Sequence, residues 1–283
     1  MINNDTQPFN VALLVHTCDR YRFLYPGFSY FFNRNWDFNT HCNCYFATEE
    51  LDVSMPHFKN IRSGKGEWAD RLRYLLEHEI TEKYVLYFQE DMWLNKPVNS
   101  AFFNQLFSLM ENKQWNHVKL DSAEIYKTNP TPYEVEGFNI SLLDNAASGF
   151  LMSHQIAVWN KDYLIKQLHK GEHPWRNERR GTKRLKKLNP EIYHVDYFAQ
   201  NGHPAINQNQ PHVVRSEYQT ISGNSMLQPN TLPYIQLLQQ AGPPEQAYAA
   251  ELLHHYQNEL THDGQPKPRK EDLFKKIKKF FRR

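Results

Sequence analysis

YVLYFQEDMWL, residues 84–94, runs from an apolar and aromatic segment into two adjacent acids and then back to bulky apolar residues. An almost unbroken apolar run of this length is typical of a β-strand that is covered on both faces. Glu90 and Asp91 therefore follow the end of a buried strand. In an open α/β sheet, ligands bind in the crevice beyond the carboxyl ends of the strands, which makes this pair a candidate binding feature.

Two interpretations of the acid pair follow from the residues alone. Adjacent carboxylates can hold Mg²⁺ or Mn²⁺, because these hard cations favour oxygen ligands, and the bound cation would in turn hold a diphosphate. In the alternative, one acid caps the next turn and the other pairs with a nearby arginine. Both interpretations stay open at this point.

The pattern on either side of this stretch repeats the same kind of strand. NVALLVHTC, residues 10–18, is a second apolar run, and a helix over 21–32 and a strand over 40–48 are expected after it. GKGEWADRLRYLLEHEI, residues 64–80, has its apolar residues at helical spacing, and Pro97 is expected to open a further helix. This alternation predicts an α/β fold with a mostly parallel sheet and helices on both faces.

The later part of the chain has a looser pattern. Short strands are expected near 116–120, 136–141 and 149–159, and helices near 162–169, 174–187, 232–240 and 244–259. The predicted organisation is a catalytic domain over residues 1–222, a helical C-terminal extension over 223–262, and a linker with a basic tail over 263–283.

Composition narrows the class of protein. Of 283 residues, 40% are hydrophobic and 23% are charged, as in a globular protein. No apolar stretch reaches the roughly 18 residues of a membrane span, and the first residues show no signal-peptide pattern. Three cysteines without zinc-site spacing indicate a reducing cytoplasm.

The net charge of +2 is unevenly distributed. Nine Lys/Arg and two acids lie between Lys267 and the end, so residues 1–266 carry 24 bases and 29 acids. A nucleic-acid groove across the body is therefore not expected. In the tail, KEDLFKKIKKFFRR places its apolar residues on one helical face and lysines on the rest, which favours binding to an anionic membrane surface. The alternative is docking on the body or on an acidic partner.

Four segments together resemble bacterial glycosyltransferases of the GT-A superfamily, which use nucleotide sugars. They are VALLVHTCDRYRFL, GEWADRLRYLLEHEITEKYVLYFQEDMWL, ASGFLMS and GEHPWRNERRGTKR, and the resemblance covers roughly residues 10–220. It implies a GT-A-like, Rossmann-type fold. It also implies donor-binding roles for the following residues: Thr17, Asp19, Arg20, Asp70, Arg71, Glu90, Asp91 and Gly149.

The resemblance assigns more specific roles to some residues. QED stands where the family has its Asp-X-Asp metal motif, so Asp91 is the expected ligand of Mn²⁺ or Mg²⁺. Because Gln89 replaces the first acid, metal-independent transfer stays open, with Arg71 neutralising the leaving diphosphate. Glu178 or Glu172 is the expected general base of an inverting transfer, in which an acceptor hydroxyl must lose its proton. Trp175 is expected to contact the acceptor.

The implied function is transfer of a sugar from a nucleoside-diphosphate-sugar donor, of the UDP type, to a surface glycan such as O-antigen, capsule or lipooligosaccharide. The expected acceptor is lipid-linked or an oligosaccharide. The expected location is the cytoplasm, peripheral on the inner face of the bacterial membrane. Two alternatives stay open, namely a nucleotidyltransferase of sugar phosphates and a non-catalytic relative that binds glycan or membrane.

Overall fold

A computed structural model describes residues 10–205 and 209–266 and divides the chain into two compact units. The first unit ends at Thr220 and the second begins at Ile221. The basic amphipathic pattern predicted for the tail lies in residues 267–283, outside the described residues.

The first unit is built on an 11-stranded mixed sheet. Its strands are β1 Val11–His16, β2 Asn43–Thr48, β3 Lys59–Arg62, β4 Tyr84–Phe88, β5 Met92–Leu94, β6 His117–Asp121, β7 Thr128–Val135, β8 Phe138–Leu143, β9 Ala157–Asn160, β10 Tyr193–Gln200 and β11 Ser216–Thr220. Its helices are α1 Tyr25–Asn35, α2 Trp68–His78, α3 Ser100–Lys113, α4 Lys161–Gln167 and α5 Pro174–Leu188.

The main path of the sheet has the order β3-β2-β1-β4-β9-β6-β10-β11-β5. β1 pairs in parallel with β2 and β4, and β10 pairs in parallel with β6 and β11. β9 runs antiparallel to both of its neighbours and joins these two parallel sets. On the main path only β9 and β5 run against the common direction, so the sheet is mostly parallel, as predicted.

Helices cover both faces of the sheet, because successive strand residues point to opposite sides. On one face, α2, α4 and α5 share a hydrophobic cluster with alternate residues of β1 and β4, for example Leu72, Leu164 and Leu185 with Leu14 and Tyr87. On the other face, aromatic rings of α1 and α3 pack on the sheet: Phe28 on Phe46, Phe32 on Phe88, and Phe103 on Phe198. The predicted GT-A-like, Rossmann-type α/β fold is confirmed.

Some boundaries differ from the sequence-based expectation. The helix expected to open at Pro97 begins at Ser100, because the Asn99 side chain accepts a hydrogen bond from the backbone N–H of Ala101 and caps it. The strand expected over 149–159 is confined to β9, and the residues before it form a loop at the sheet edge.

The second unit contains a two-stranded ribbon and two helices. The ribbon pairs β12 Ser222–Gly223 with β13 Met226–Leu227, and the helices are α6 Leu232–Gln239 and α7 Pro243–Gln257. Leu238 and Leu252 are among the buried residues of these helices. Within the described parts of both units, no helix is long and apolar enough to cross a membrane.

Candidate functional site

The carboxyl ends of β1, β2, β4 and β6 share one edge of the sheet, because these strands run in the same direction. The chain enters β9 at this edge as well, since β9 runs the opposite way. The edge therefore gathers the residues that follow β1 and β4, the end of β6, and the loop before β9. Helices α2 and α5 add Arg71 and Glu178.

Thr17 and Asp19 hold the chain after β1 against the chain after β2. The Thr17 hydroxyl donates to the Ala47 carbonyl at 2.8 Å and lies 2.7 Å from the Tyr25 hydroxyl. The Asp19 carboxylate accepts three backbone N–H groups at 2.9 to 3.1 Å, from Glu49, Glu50 and Leu51. Both side chains lie at the carboxyl edge, and their hydrogen bonds hold the loops that shape this edge.

Arg71 and Asp70 connect α2 to its surroundings in different directions. The buried Arg71 guanidinium donates through Nη1 to the Thr17 carbonyl at 2.9 Å and lies 3.5 Å from a Glu49 carboxylate oxygen. Its Nε is buried and has no hydrogen-bond partner. Asp70 instead accepts the Gly171 N–H with both oxygens, at 3.3 and 3.2 Å. Arg71 thus belongs to the edge, whereas Asp70 fixes the loop before α5.

The acid pair is desolvated and its two charges repel. Glu90 is buried and Asp91 is half-buried, and the Trp93 indole N–H donates to the Glu90 carbonyl at 3.1 Å. Burial, and then the charge of Asp91, raise the pKa of Glu90 well above its ordinary value, although Arg71 opposes this. Burial raises the pKa of Asp91 to about 7. Burial and Glu90 also raise the pKa of the nearby Cys18 thiol to about 12.

These features fit a divalent cation held jointly by protein and substrate. Among the residues that the structure describes, no basic side chain forms an ion pair with either carboxylate. In the part of the chain that the structure describes, no group of three or more His, Cys, Asp or Glu residues could hold a metal. One or two carboxylates, completed by phosphate oxygens and water, is the usual set for Mg²⁺.

A group of buried rings lies beside Arg71. The His16 ring centroid is 5.7 Å from that of Trp68, which in turn is 4.1 Å from that of His154. His16 Nδ1 lies 3.4 Å from the Tyr87 hydroxyl. Burial lowers the pKa of His16 well below its usual value and that of His154 to about 3. Both imidazoles are therefore neutral at physiological pH, and the guanidinium is the nearby cation.

A buried lysine defines a second polar cluster at the same edge. Lys119 on β6 is fully buried, and its ammonium donates to the Ser153 hydroxyl at 2.5 Å and the Tyr126 hydroxyl at 3.2 Å. Tyr126 donates to the Asp121 carboxylate at 3.2 Å. Burial lowers the pKa of Lys119 to about 8, while the charges of Asp121 and Glu178 act in the opposite direction.

Glu178 lies in this cluster. Its Oε1 accepts the backbone N–H of His154 at 2.9 Å, next to the Ser153 that binds Lys119. Burial raises the pKa of Glu178, and Lys119 partly offsets the rise. A half-buried carboxylate with a raised pKa and a nearby cation has the properties of a general base.

Glu172 has a different environment. Its buried carboxylate accepts hydrogen bonds from Asn177 at 2.8 Å and from Arg184 at 3.1 and 3.2 Å, and Arg180 lies 3.7 Å away. Burial alone would raise its pKa, but these hydrogen bonds and the charge of Arg184 bring the pKa below the ordinary value. Both oxygens are thus occupied in holding the start of α5.

Tyr218 lies near both the acid pair and the lysine cluster. This fully buried residue of β11 donates its hydroxyl to the Gln155 side chain at 2.8 Å. Burial raises its pKa well above the ordinary value, and the charges of Asp121 and Asp91 both contribute to the rise. The charges of Asp91 and Asp121 therefore both act on this buried hydroxyl.

Three of the predicted residues lie at the rim or surface. Gly149 is in the loop between β8 and β9, and its N–H donates to the Ile125 carbonyl at 3.1 Å. A Cβ on Gly149 would meet Ile125 at 3.6 Å, an ordinary contact, so nothing in the protein itself requires glycine there. Trp175, in the first turn of α5, is 66% exposed, and Arg20 is also exposed.

Sequence reasoning did not identify Lys119, Asp121, Ser153 and Tyr218. One signal was available, because HVKLD falls in a predicted strand and carries ionisable residues at alternate positions. In a strand covered on both faces, such residues must be paired, which could have marked Lys119 and Asp121 as site residues. Ser153 and Tyr218 give no comparable signal, since only the fold brings them near.

Comparison with known proteins adds two findings. No family model and no curated protein matches the chain. Solved structures with a similar arrangement include S. aureus TarS residues 1–349, at 9% identity and a TM-score of 0.43, covering 88% of this chain and 71% of that one.

Two further similar structures are pyrophosphorylases. A UDP-glucose pyrophosphorylase complexed with UDP-glucose has 10% identity and a TM-score of 0.40, covering 66% of this chain and 90% of that one. The UTP-bound UGPase from Acinetobacter baumannii has 9% identity and a TM-score of 0.43, covering 66% of this chain and 85% of that one.

Proposed function

We propose that this protein is an inverting glycosyltransferase that takes a sugar from a nucleoside-diphosphate donor, of the UDP type. The observation that carries the proposal is the acid pair Glu90-Asp91, which forms no ion pair with a described basic side chain and lies at the same edge as Arg71 and Glu178. Such an edge suits a ligand that brings a diphosphate and its cation at one end and a reacting carbon at the other.

The donor end is assigned to the residues after β1 and β4. Asp91 would hold Mn²⁺ or Mg²⁺, with Glu90 beside it, and the ion when bound would supply charge neutralisation for the diphosphate. Arg71 supplies a fixed positive charge next to the phosphates. Thr17 and Asp19 keep the two loops in place, so that the crevice does not have to form when the donor binds.

The acceptor end is assigned to the start of α5. Glu178 would accept the proton of the acceptor hydroxyl while that oxygen bonds to the anomeric carbon. The bond from that carbon to the diphosphate breaks at the same time, and the nucleoside diphosphate leaves with the electron pair. Lys119 favours the ionised form of Glu178, and Trp175 offers an exposed ring against which an acceptor sugar could pack.

Acceptor class and location are the broader part of the proposal. The acceptor is a lipid-linked or oligosaccharide precursor of a surface glycan such as O-antigen, capsule or lipooligosaccharide. The enzyme would act in the cytoplasm at the inner face of the membrane, with the basic C-terminal tail as one contact.

The test uses a panel of UDP-, GDP- and dTDP-sugars with and without Mn²⁺. Thermal stabilisation and slow donor hydrolysis are measured for wild type, Asp91→Asn and, as control, Asp162→Asn, which changes an exposed acid at the start of α4. A ligand at about 100 times its Kd stabilises the folded state by about 2.7 kcal/mol. We expect this Mn²⁺-dependent gain in wild type and control, and its loss in Asp91→Asn.

Other outcomes would change the proposal in defined ways. Absence of binding to every nucleoside diphosphate at millimolar concentration would refute the enzyme assignment. Binding that needs no metal and survives Asp91→Asn would shift neutralisation of the diphosphate to Arg71. Release of pyrophosphate from a nucleoside triphosphate and a sugar phosphate would identify a nucleotidyltransferase.

A further inference from the structure

The outer face of α5 carries a dense group of positive charges. At 100° per residue, the basic side chains of α5 other than Arg184, which binds Glu172, fall on one continuous arc of about 140° that begins at Trp175. The basic residues on this arc are Arg176, Arg179, Arg180, Lys183, Lys186 and Lys187. The opposite side of the helix holds the buried Asn177, Gly181 and Leu185.

The basic arc contains no acidic residue. Glu178, the only acid of the helix, lies beside the arc and accepts the His154 N–H. Two of the basic residues have contacts, since Arg180 lies 3.7 Å from Glu172 and Lys186 donates to the Ala146 carbonyl. The arc is therefore a surface of nearly uniform positive charge.

Charge elsewhere in residues 1–266 has the opposite sign. Helix α5 holds seven bases and one acid. Without α5, residues 1–266 keep 17 bases against 28 acids, a net charge of −11. Helix α5 and the C-terminal tail thus carry a net positive charge while the rest of the chain is net negative, which favours the approach of an anionic surface at α5.

Trp175 adds an apolar element at the end of the basic arc. It is 66% exposed, whereas the other five tryptophans are at most 8% exposed. Phe150, 52% exposed, lies in the loop before β9, which α5 contacts through Thr182 and Met152. Exposed aromatic rings bordering lysines and arginines suit the boundary between lipid headgroups and acyl chains, and a nucleic acid offers no such apolar layer.

We propose that the basic arc of α5 is a docking surface for an anionic lipid bilayer, distinct from the tail. Docking in this way would bring the start of α5, and with it Glu178, to the membrane. An acceptor on a lipid carrier could then reach the base without leaving the bilayer. This consequence rests on the proposed function, but the docking itself does not.

The first test uses wild type and the native fluorescence of Trp175. Full-length protein is mixed with vesicles of phosphatidylcholine containing 30% phosphatidylglycerol and a doxyl-labelled lipid. We expect the lipid to quench part of the tryptophan emission in wild type but not in Trp175→Phe, because Trp175 is the only exposed tryptophan. Protein that floats with vesicles while this emission stays unquenched would show that the tail binds alone, and would refute docking through α5.

The second test compares two triple variants that lose the same charge. Arg179→Gln, Lys183→Gln and Lys187→Gln neutralise the arc, while Lys59→Gln, Lys113→Gln and Lys166→Gln neutralise exposed lysines elsewhere. Each basic residue near an anionic surface contributes about a five-fold change in partitioning, so the arc variant should bind about 100-fold more weakly. Equal binding by the two variants would refute the proposal.

Two controls separate the alternatives. Tight binding of a DNA or RNA duplex without vesicle binding would assign the arc to nucleic acid and overturn the proposal. Since neither vesicle experiment contains a nucleotide sugar, a failure here leaves the proposed reaction untouched, and a failure of the donor assay leaves this proposal untouched.

Discussion

Gly27→Ala should destabilise the protein, although alanine is the better helix former. In an exposed helix interior this change would stabilise by about 1 kcal/mol. Here a Cβ on Gly27 would lie 2.1 Å from two ring carbons of Trp93 and 2.8 Å from a third. Carbon atoms pack at about 3.5 to 4.0 Å, so ring and helix must separate by roughly 1.5 Å. Trp93 is fully buried and stacked on Phe31.

The cost of this overpacking decides whether Gly27→Ala raises or lowers the free energy of unfolding. Forcing one methyl group into a packed core typically costs about 1 to 3 kcal/mol, and a displacement of this size belongs at the upper end. The net loss in the free energy of unfolding should therefore be about 2 kcal/mol or more. Because the Trp93 indole donates to the Glu90 carbonyl, the displaced ring would also move the acid pair and weaken Mn²⁺-dependent donor binding.

Urea unfolding of a double-mutant cycle with Trp93→Phe tests this reasoning. The smaller ring removes the atoms that the new methyl group would meet, so Gly27→Ala should cost less than about 1 kcal/mol in that background. A coupling energy above 1 kcal/mol is the expected signature of two residues in contact. If the two costs add, or if Gly27→Ala alone is as stable as wild type, Trp93 does not pack on Gly27 as described.

Three further predictions concern Glu178 and Glu172. Lys119→Met removes a charge that lowers the pKa of Glu178. Since the base must be ionised, the acidic limb of the rate–pH profile should move to higher pH. If the limb does not move, Lys119 does not act on the pKa of Glu178. Glu172→Gln leaves the partly exposed Arg184 without its counter-charge and should lower the free energy of unfolding by about 2 kcal/mol in a urea titration, with the transfer rate per folded molecule kept. Glu178→Gln should instead reduce that rate by about 10² to 10⁴, and the opposite pattern would exchange the roles of the two acids.

The sequence predicts those parts of the fold that depend on local patterns. The apolar runs of β1 and β4 and the helical spacing of α2 need no knowledge of their neighbours. β10 could not be found in this way, because YHVDYFAQ mixes His194 and Asp196 with apolar residues. Both polar residues are fully buried in the interior of the sheet. Their burial depends on partners such as Arg215, which donates to Asp196.

In the candidate site, too, the sequence predicts the features that depend on local patterns and not those that depend on tertiary contacts. The acid pair could be identified because it follows an apolar strand, and its position at the carboxyl edge follows from the direction of that strand. The environments of Glu178 and Glu172 could not be distinguished in the sequence, since both precede a run of arginines. The difference between them comes from tertiary contacts. Arg184 forms an ion pair with Glu172, whereas Lys119, 59 residues before Glu178 in the chain, lowers the pKa of Glu178.

The reversed strand β9 has a consequence for the order in which the protein folds. Its register pairs Tyr84 with Asn160, so the two parallel sets of strands are joined only by contacts between distant parts of the chain. β1 to β4 can pair as soon as residue 88 has been synthesised, whereas the polar edge stays incomplete until β9 and α5 have docked. Contacts of such sequence separation form slowly, because a long loop must close first. The polar edge should therefore be among the last parts to assemble, and hydrogen exchange during refolding should show protection in β1 and β4 before β9.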